Sequence, residues 1–180
     1  IFIVLTFLFL STTTYSKDNT KSWQKKCSGS DSNNCLISIE YKVKTPNQEE
    51  KQLFATAYIK IGSTKQKIMS LIDKEDQTYK LGEANKPVTV LIINLPLNTD
   101  LRKNPLISSD KLSLGNPKYV HCNKSIGCKT MALVDEKVIE VFKKGKSFSV
   151  TFGIFGSDQN MRITFPLKGF TKAYDELVKG

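Results

Sequence analysis

The residues of this 180-residue chain best suited to chemistry are four cysteines and a single histidine. Cys27 and Cys35 bracket CSGSDSNNC, and Cys122 and Cys128 bracket CNKSIGC, with His121 directly before Cys122. Four cysteines allow three pairings, and the local ones, Cys27–Cys35 and Cys122–Cys128, are the simplest framework for an exported chain. Each closure is worth roughly 2–3 kcal/mol on the loop-entropy model. Zinc is the competing use, with His121 as an extra ligand. The cysteine gaps of seven and five intervening residues miss the usual two-to-four, and strand neighbours such as His121 and Cys122 point to opposite faces. No C-x-x-C redox pair occurs.

A lone histidine narrows catalysis further. A Ser–His–Asp triad would have to be built on His121, yet there is no G-x-S-x-G elbow, and GIFGS at 153–157 does not supply one. An exported hydrolase using His121 is therefore the alternative to a half-exposed strand residue beside a disulfide. Acid–base pairs could come from Asp73, Glu75 and Asp76, from Asp135 and Glu136, or from Asp175 and Glu176. None has the apolar setting that would split two carboxyl pKa values. With no phosphate-binding loop or dinucleotide fingerprint, no catalytic residue, metal or cofactor is expected.

The elements that would position these residues are short strands. Cys35–Lys44 alternates, with Ile37, Ile39, Tyr41 and Val43 on one face; Leu53–Ile61 places Leu53, Ala55, Ala57, Ile59 and Ile61 together. Gln66–Ile72 is a third strand, and the charged Asp73–Pro87 reads as a loop or weak hairpin. Val88–Leu97 is the most apolar and reads as central, followed by a loop over Asn98–Pro105. Lys111–Leu114 and Lys118–Cys122 read as a pair joined through Gly115-Asn116-Pro117. Lys146–Ile154 and Met161–Phe165 form a hairpin about Gly156-Ser157-Asp158, with Phe148, Phe152 and Phe165 in the core. Asp135–Lys144 is a short helix presenting Val138, Val141 and Phe142, and Gly169–Lys179 a closing one presenting Phe170, Ala173, Tyr174 and Leu177. Trp23, four residues before Cys27, is expected to pack on the first bridge. Eight to ten strands, one or two short helices and no βαβ alternation predict a mainly β single domain, an antiparallel sandwich or barrel-like fold.

Ile1–Leu10 is apolar apart from Thr6, and STTTYS then places small residues at −3 and −1 of a break before Lys17. That pattern predicts a signal peptide over 1–16, its start truncated because the sequence opens on Ile, then a flexible lead-in over 17–22 and one domain over 23–180. Ten apolar residues cover about half of a ~30 Å hydrocarbon core, so no integral span is expected after cleavage. The formal charge of +10 is spread along the chain, with lysines outnumbering arginines 25 to 2. Nucleic-acid readers rely on arginine forks, so nucleic acid is not the expected partner. Attraction to anionic surfaces and a plain lysine-rich solvated exterior both fit.

The order of these features resembles the invasion-associated locus B family of exported α-proteobacterial proteins. The resemblance rests on WQKKC ending at Cys27, Cys35 opening CLISI, NLPLNTDL over Asn94–Leu101, YVHCNKSIGC over Tyr119–Cys128, VFKKGK, and the closing PLKGFTKAYDEL. It implies a β-rich domain in the periplasm or outer membrane, or secreted, that binds a protein partner or an anionic envelope or host surface, in some pathogens during invasion. It brings no catalytic residue, metal or cofactor. The four cysteines, Trp23, Gly127, Gly169 and Phe170 transfer as structural positions.

Overall fold

The computed structural model describes residues 22–28, 35–44, 49–62, 68–71, 79–82, 87–109 and 112–179. The expected signal peptide, all of the lead-in but Ser22, residues 29–34 of the Cys27–Cys35 loop, and Asp73, Glu75 and Asp76 lie outside the described residues.

Twelve strands and two helices are described. In chain order they are β1 (Gln24–Cys27), β2 (Cys35–Val43), β3 (Gln52–Gly62), β4 (Ile68–Leu71), β5 (Tyr79–Gly82), β6 (Val88–Leu95), β7 (Leu106–Ser109), β8 (Ser113–Gly115), β9 (Tyr119–Asn123), β10 (Gly127–Val134), α1 (Glu136–Lys144), β11 (Ser147–Gly153), β12 (Asn160–Pro166) and α2 (Phe170–Val178). A six-stranded sheet runs β1-β2-β3-β6-β10-β9, a four-stranded sheet runs β12-β11-β7-β8, and β4 and β5 form a separate hairpin. Every pairing is antiparallel, and the two main sheets do not close into a barrel.

The sheets share one core. Ile37 and Ile39 of β2, Ala57 and Ile59 of β3, and Leu91, Ile93 and Leu95 of β6 face Ile107 of β7, Phe148, Val150 and Phe152 of β11, and Ile163 and Phe165 of β12. Rings bridge the layers, with Tyr41 of β2 6.1 Å from Phe165. β6 lies inside its sheet, as its apolar composition requires. Helix α1 is capped by Asp135, whose carboxylate accepts the Val138 N–H at 2.8 Å, with Glu136 in the first turn and Lys143 and Lys144 in the last.

Four readings are corrected here. Twelve strands lie among the described residues, because two short, partly polar segments, β1 and β7, pair with longer neighbours. β8 and β9 do not pair with each other. Gly115, at φ 90°, ends β8 in one sheet, and the chain crosses to β9 in the other. In β3, the partner of β2 steps from Ala55 opposite Tyr41 to Leu53 opposite Lys42. This bulge turns Leu53 outward and brings Phe54 against Tyr41, with ring centroids 6.2 Å apart. The buried face of α1 is Ile139 and Phe142, with Val138 and Val141 half-buried.

Candidate functional site

The two cysteine pairs mark opposite ends of the first sheet. Cys27 and Cys35 are directly opposed across β1 and β2, Cys122 and Cys128 across β9 and β10, and each pair is bonded with Cα atoms 4.0 Å apart. Cys128 lies beside Leu95 at the C-terminal end of β6, while β6 begins beside the end of β10, where α1 starts.

The helical end packs its aromatic rings inward, and clefts of about 440 Å³ beside Gly169 and Lys172 and about 670 Å³ between Val88, Ile139 and Tyr174 open on its surface. Trp23 finds its partners in the aromatic core, where its ring is 5.2 Å from Phe170, edge-on, and 6.4 Å from Phe148. Its indole N–H donates to the Pro166 carbonyl at 3.0 Å, and its backbone N–H to the Lys168 carbonyl at 3.3 Å. Phe142 stacks on Phe148, which stacks on Phe165, and Phe170 stacks on Tyr174. Gly169 enters α2 at φ 80°, and a Cβ there would lie 3.0 Å from the Ser22 Cβ. Glycine is therefore required where Trp23 crosses the start of the helix.

The loop end is built differently. It gathers the β6–β7 loop, the tips of the β9–β10 and β11–β12 hairpins, and the start of β3. Thr99 donates to the Pro96 carbonyl from its hydroxyl (2.6 Å) and its backbone N–H (3.2 Å). The Asp100 N–H donates to Gly153 O, and the Phe155 N–H to Asn98 O, both at 2.8 Å. Asp100 is buried, and its carboxylate accepts the Arg102 backbone N–H (3.1 Å), Nε (2.9 Å) and Nη2 (2.9 Å). These bonds hold its carboxyl down to about 2. Burial, with Asp100's charge second, pushes the Tyr119 phenol well above its usual range.

On this anchored backbone the apolar side chains point out. Phe155 is 70% exposed, with the Arg102 guanidinium 5.8 Å over its ring, and Leu53, Leu97, Leu101, Leu106 and Ile126 are exposed as well. Between Leu53, Leu97 and Ile126 opens a cleft of about 330 Å³, also lined by Phe54, Tyr58, Asn94, Pro96 and Lys124. The Asn94 side-chain oxygen is buried there without a hydrogen-bond partner. Gly127, at φ 78°, brings the β9–β10 tip against β6, and a Cβ would collide with the Leu95 carbonyl.

The family model for the invasion associated locus B (IalB) protein matches residues 74–178. This chain belongs to the IalB family. The crystal structure of invasion associated protein b from Bartonella henselae has the same fold, with a TM-score of 0.61 at 12% identity, covering 91% of this chain and 96% of that one. No curated protein matches the sequence. The IalB match takes in the β6–β7 loop, Gly127 and both helices, but not Trp23, Cys27 or Cys35.

The other sequence-proposed chemical residues are dispersed. In this IalB-family chain His121 is exposed on β9 opposite Lys129, and no hydrogen bond or ion pair joins its imidazole to a described residue. Asp135 is an N-cap, and Asp175 pairs with Lys143 at 3.0 Å, raising the lysine's pKa. Among the described residues no three His, Cys, Asp or Glu side chains could hold a metal, and no helix is long and apolar enough to cross a membrane. Asn94, Leu97, Lys124, Ile126 and Phe155 went unread as site residues. The one nearby signal is an apolar residue, Leu101, inside the Asn98–Pro105 loop.

Proposed function

We propose that this IalB-family protein is an exported envelope protein that works by binding, not catalysis, through the loop end of its sandwich. Residues 1–16 would be removed as a signal peptide, 17–22 would be a flexible lead-in, and 23–180 would act as one unit in the periplasm or at the outer membrane. Two cross-strand disulfides suit an oxidising compartment. The observation that carries the binding role is the cluster of exposed apolar side chains on a hydrogen-bonded loop end. Anchored backbone presenting apolar groups to solvent is what a recognition surface needs. Host-cell invasion is one setting in which such binding would act. The isolated position of His121 gives the hydrolase alternative no support.

The test is expression with a complete leader in a Gram-negative host, followed by intact mass and envelope fractionation. A chain beginning at Lys17, four hydrogens lighter than its reduced form, is expected for two disulfides. It should associate with envelope components, and Leu97→Ser with Phe155→Ser should release it. An uncleaved chain with four free thiols would overturn the compartment; association untouched by the variants would overturn the surface. Retention that fades between low and physiological salt identifies an anionic surface as the partner.

A further inference from the structure

The cleft at the loop end has more definition than an apolar patch. Its floor is β6 and β3, where Asn94 stands opposite Thr56, and its walls are Leu53, Leu97 and the β9–β10 tip. That tip is fixed from three sides. Asn123 Oδ1 accepts the Ser125 N–H (3.1 Å), the Ser125 hydroxyl (2.9 Å) and the Ile126 N–H (2.9 Å). The Cys122–Cys128 bridge closes its base, and Gly127 seats it on Leu95. Asn94 is 8% exposed, and its oxygen lacks a donor. A buried acceptor left unpaired costs about 1–3 kcal/mol, which a ligand N–H would recover. Lys124 stands at the mouth without an ion-pair partner among the described residues.

We infer that this cleft takes the apolar C-terminus of a polypeptide. A backbone N–H of the peptide donates to Asn94 Oδ1, the last apolar side chains lie among Leu53, Leu97 and Ile126, and the terminal carboxylate meets the Lys124 ammonium. The cleft's volume accommodates two or three residues, near the lower limit of small-ligand sites. This inference rests on the binding role proposed above and names the chemistry of the partner.

The experiment is a titration of ¹⁵N-labelled, disulfide-bonded protein with acetyl-Ala-Leu-Leu as the free acid. Its C-terminal amide and octanoate serve as comparisons. The acid is expected to shift the Asn94 side-chain amide and the backbone amides of 124–127, and the amide form to bind up to about fivefold more weakly. Lys124→Gln, a surface change that leaves the fold intact, should erase the difference between acid and amide. No shift at these positions up to about 5 mM peptide overturns the assignment, as does equal affinity for acid and amide. Octanoate binding as well as the peptide also overturns it, because a fatty acid has no N–H to offer Asn94. Peptide failure with envelope association retained removes the cleft assignment alone; loss of both removes the binding role too.

Discussion

The two ends of this sandwich are each stapled by a disulfide-bonded hairpin, yet they spend their apolar residues in opposite ways. At the helical end, Trp23, Phe142, Phe148 and Phe170 are at most 4% exposed, and the one polar atom of the indole is satisfied by Pro166. At the loop end, Leu97, Leu101 and Phe155 are at least half exposed, and the buried side-chain oxygen of Asn94 has no hydrogen-bond partner. Both ends are held by hydrogen bonds and bridges, so the open one is not loosely made. Its backbone is fixed by Thr99, Asp100 and Gly127 while its side chains remain available. Buried aromatic packing is concentrated at one end, and exposed apolar side chains at the other.

Substitutions should separate the two. Trp23→Ala or Phe170→Ala removes a fully packed ring and is expected to cost about 3–5 kcal/mol in urea unfolding. Replacing Cys122 and Cys128 together by Ala should cost roughly 2–3 kcal/mol from the lost seven-residue closure, measured against the oxidised parent. Gly127→Ala and Gly156→Ala sharpen the contrast within the loop end, because both glycines have φ 78°. The first would meet the Leu95 carbonyl and the second nothing within 4 Å. Gly156→Ala should therefore cost about 1 kcal/mol of backbone strain, and Gly127→Ala distinctly more, in the same melt.

Asp100 supplies a pH signature of the loop end. Its folded carboxyl lies at about 2, below its ordinary 3.8, because Arg102 bonds to the charged form. A depressed folded value stabilises at pH above the unfolded one, so this contribution is complete above 3.8 and disappears as pH falls toward 2. Asp100→Asn should flatten the melting temperature across that window without altering the neutral-pH fold class by circular dichroism. An unchanged acid profile would remove Arg102 as the partner that matters.

Much of the helical end was legible in the chain itself, and little of the loop end was. The alternation that opens at Phe148 and the Phe170-Ala173-Tyr174-Leu177 spacing state a strand and a helix in local patterns, and at the loop end only the Gly-Ser-Asp turn is as plain. Trp23 reads in sequence as packing on the Cys27–Cys35 bridge, whereas its partners Pro166 and Phe170 lie over 140 residues away, beyond any local pattern. The β3 bulge escaped because one extra residue, Phe54, reverses the alternation without a glycine or proline to mark it. β8 and β9 misled because Gly115-Asn116-Pro117 has turn chemistry but carries the chain between sheets. The cleft was invisible because its residues come from three segments, Leu53 of β3, Asn94 and Leu97 in and just after β6, and Ile126 before β10, which only the register of β3, β6 and β10 brings together.

The smallest expected effect is also the most informative. Leu53→Ser, Leu97→Ser and Phe155→Ser combined in one chain should leave the melting temperature within about 2 °C of the parent, as exposed side chains contribute little to folding. That thermal melt, run beside Trp23→Ala, tests directly whether the exposed side chains of the loop end are free of a part in holding the fold together. A near-parental melt for the triple variant, with Trp23→Ala at least about 6 °C lower, is the predicted result. A triple-variant melt as low as that of Trp23→Ala would contradict it, making these side chains part of what holds the fold together.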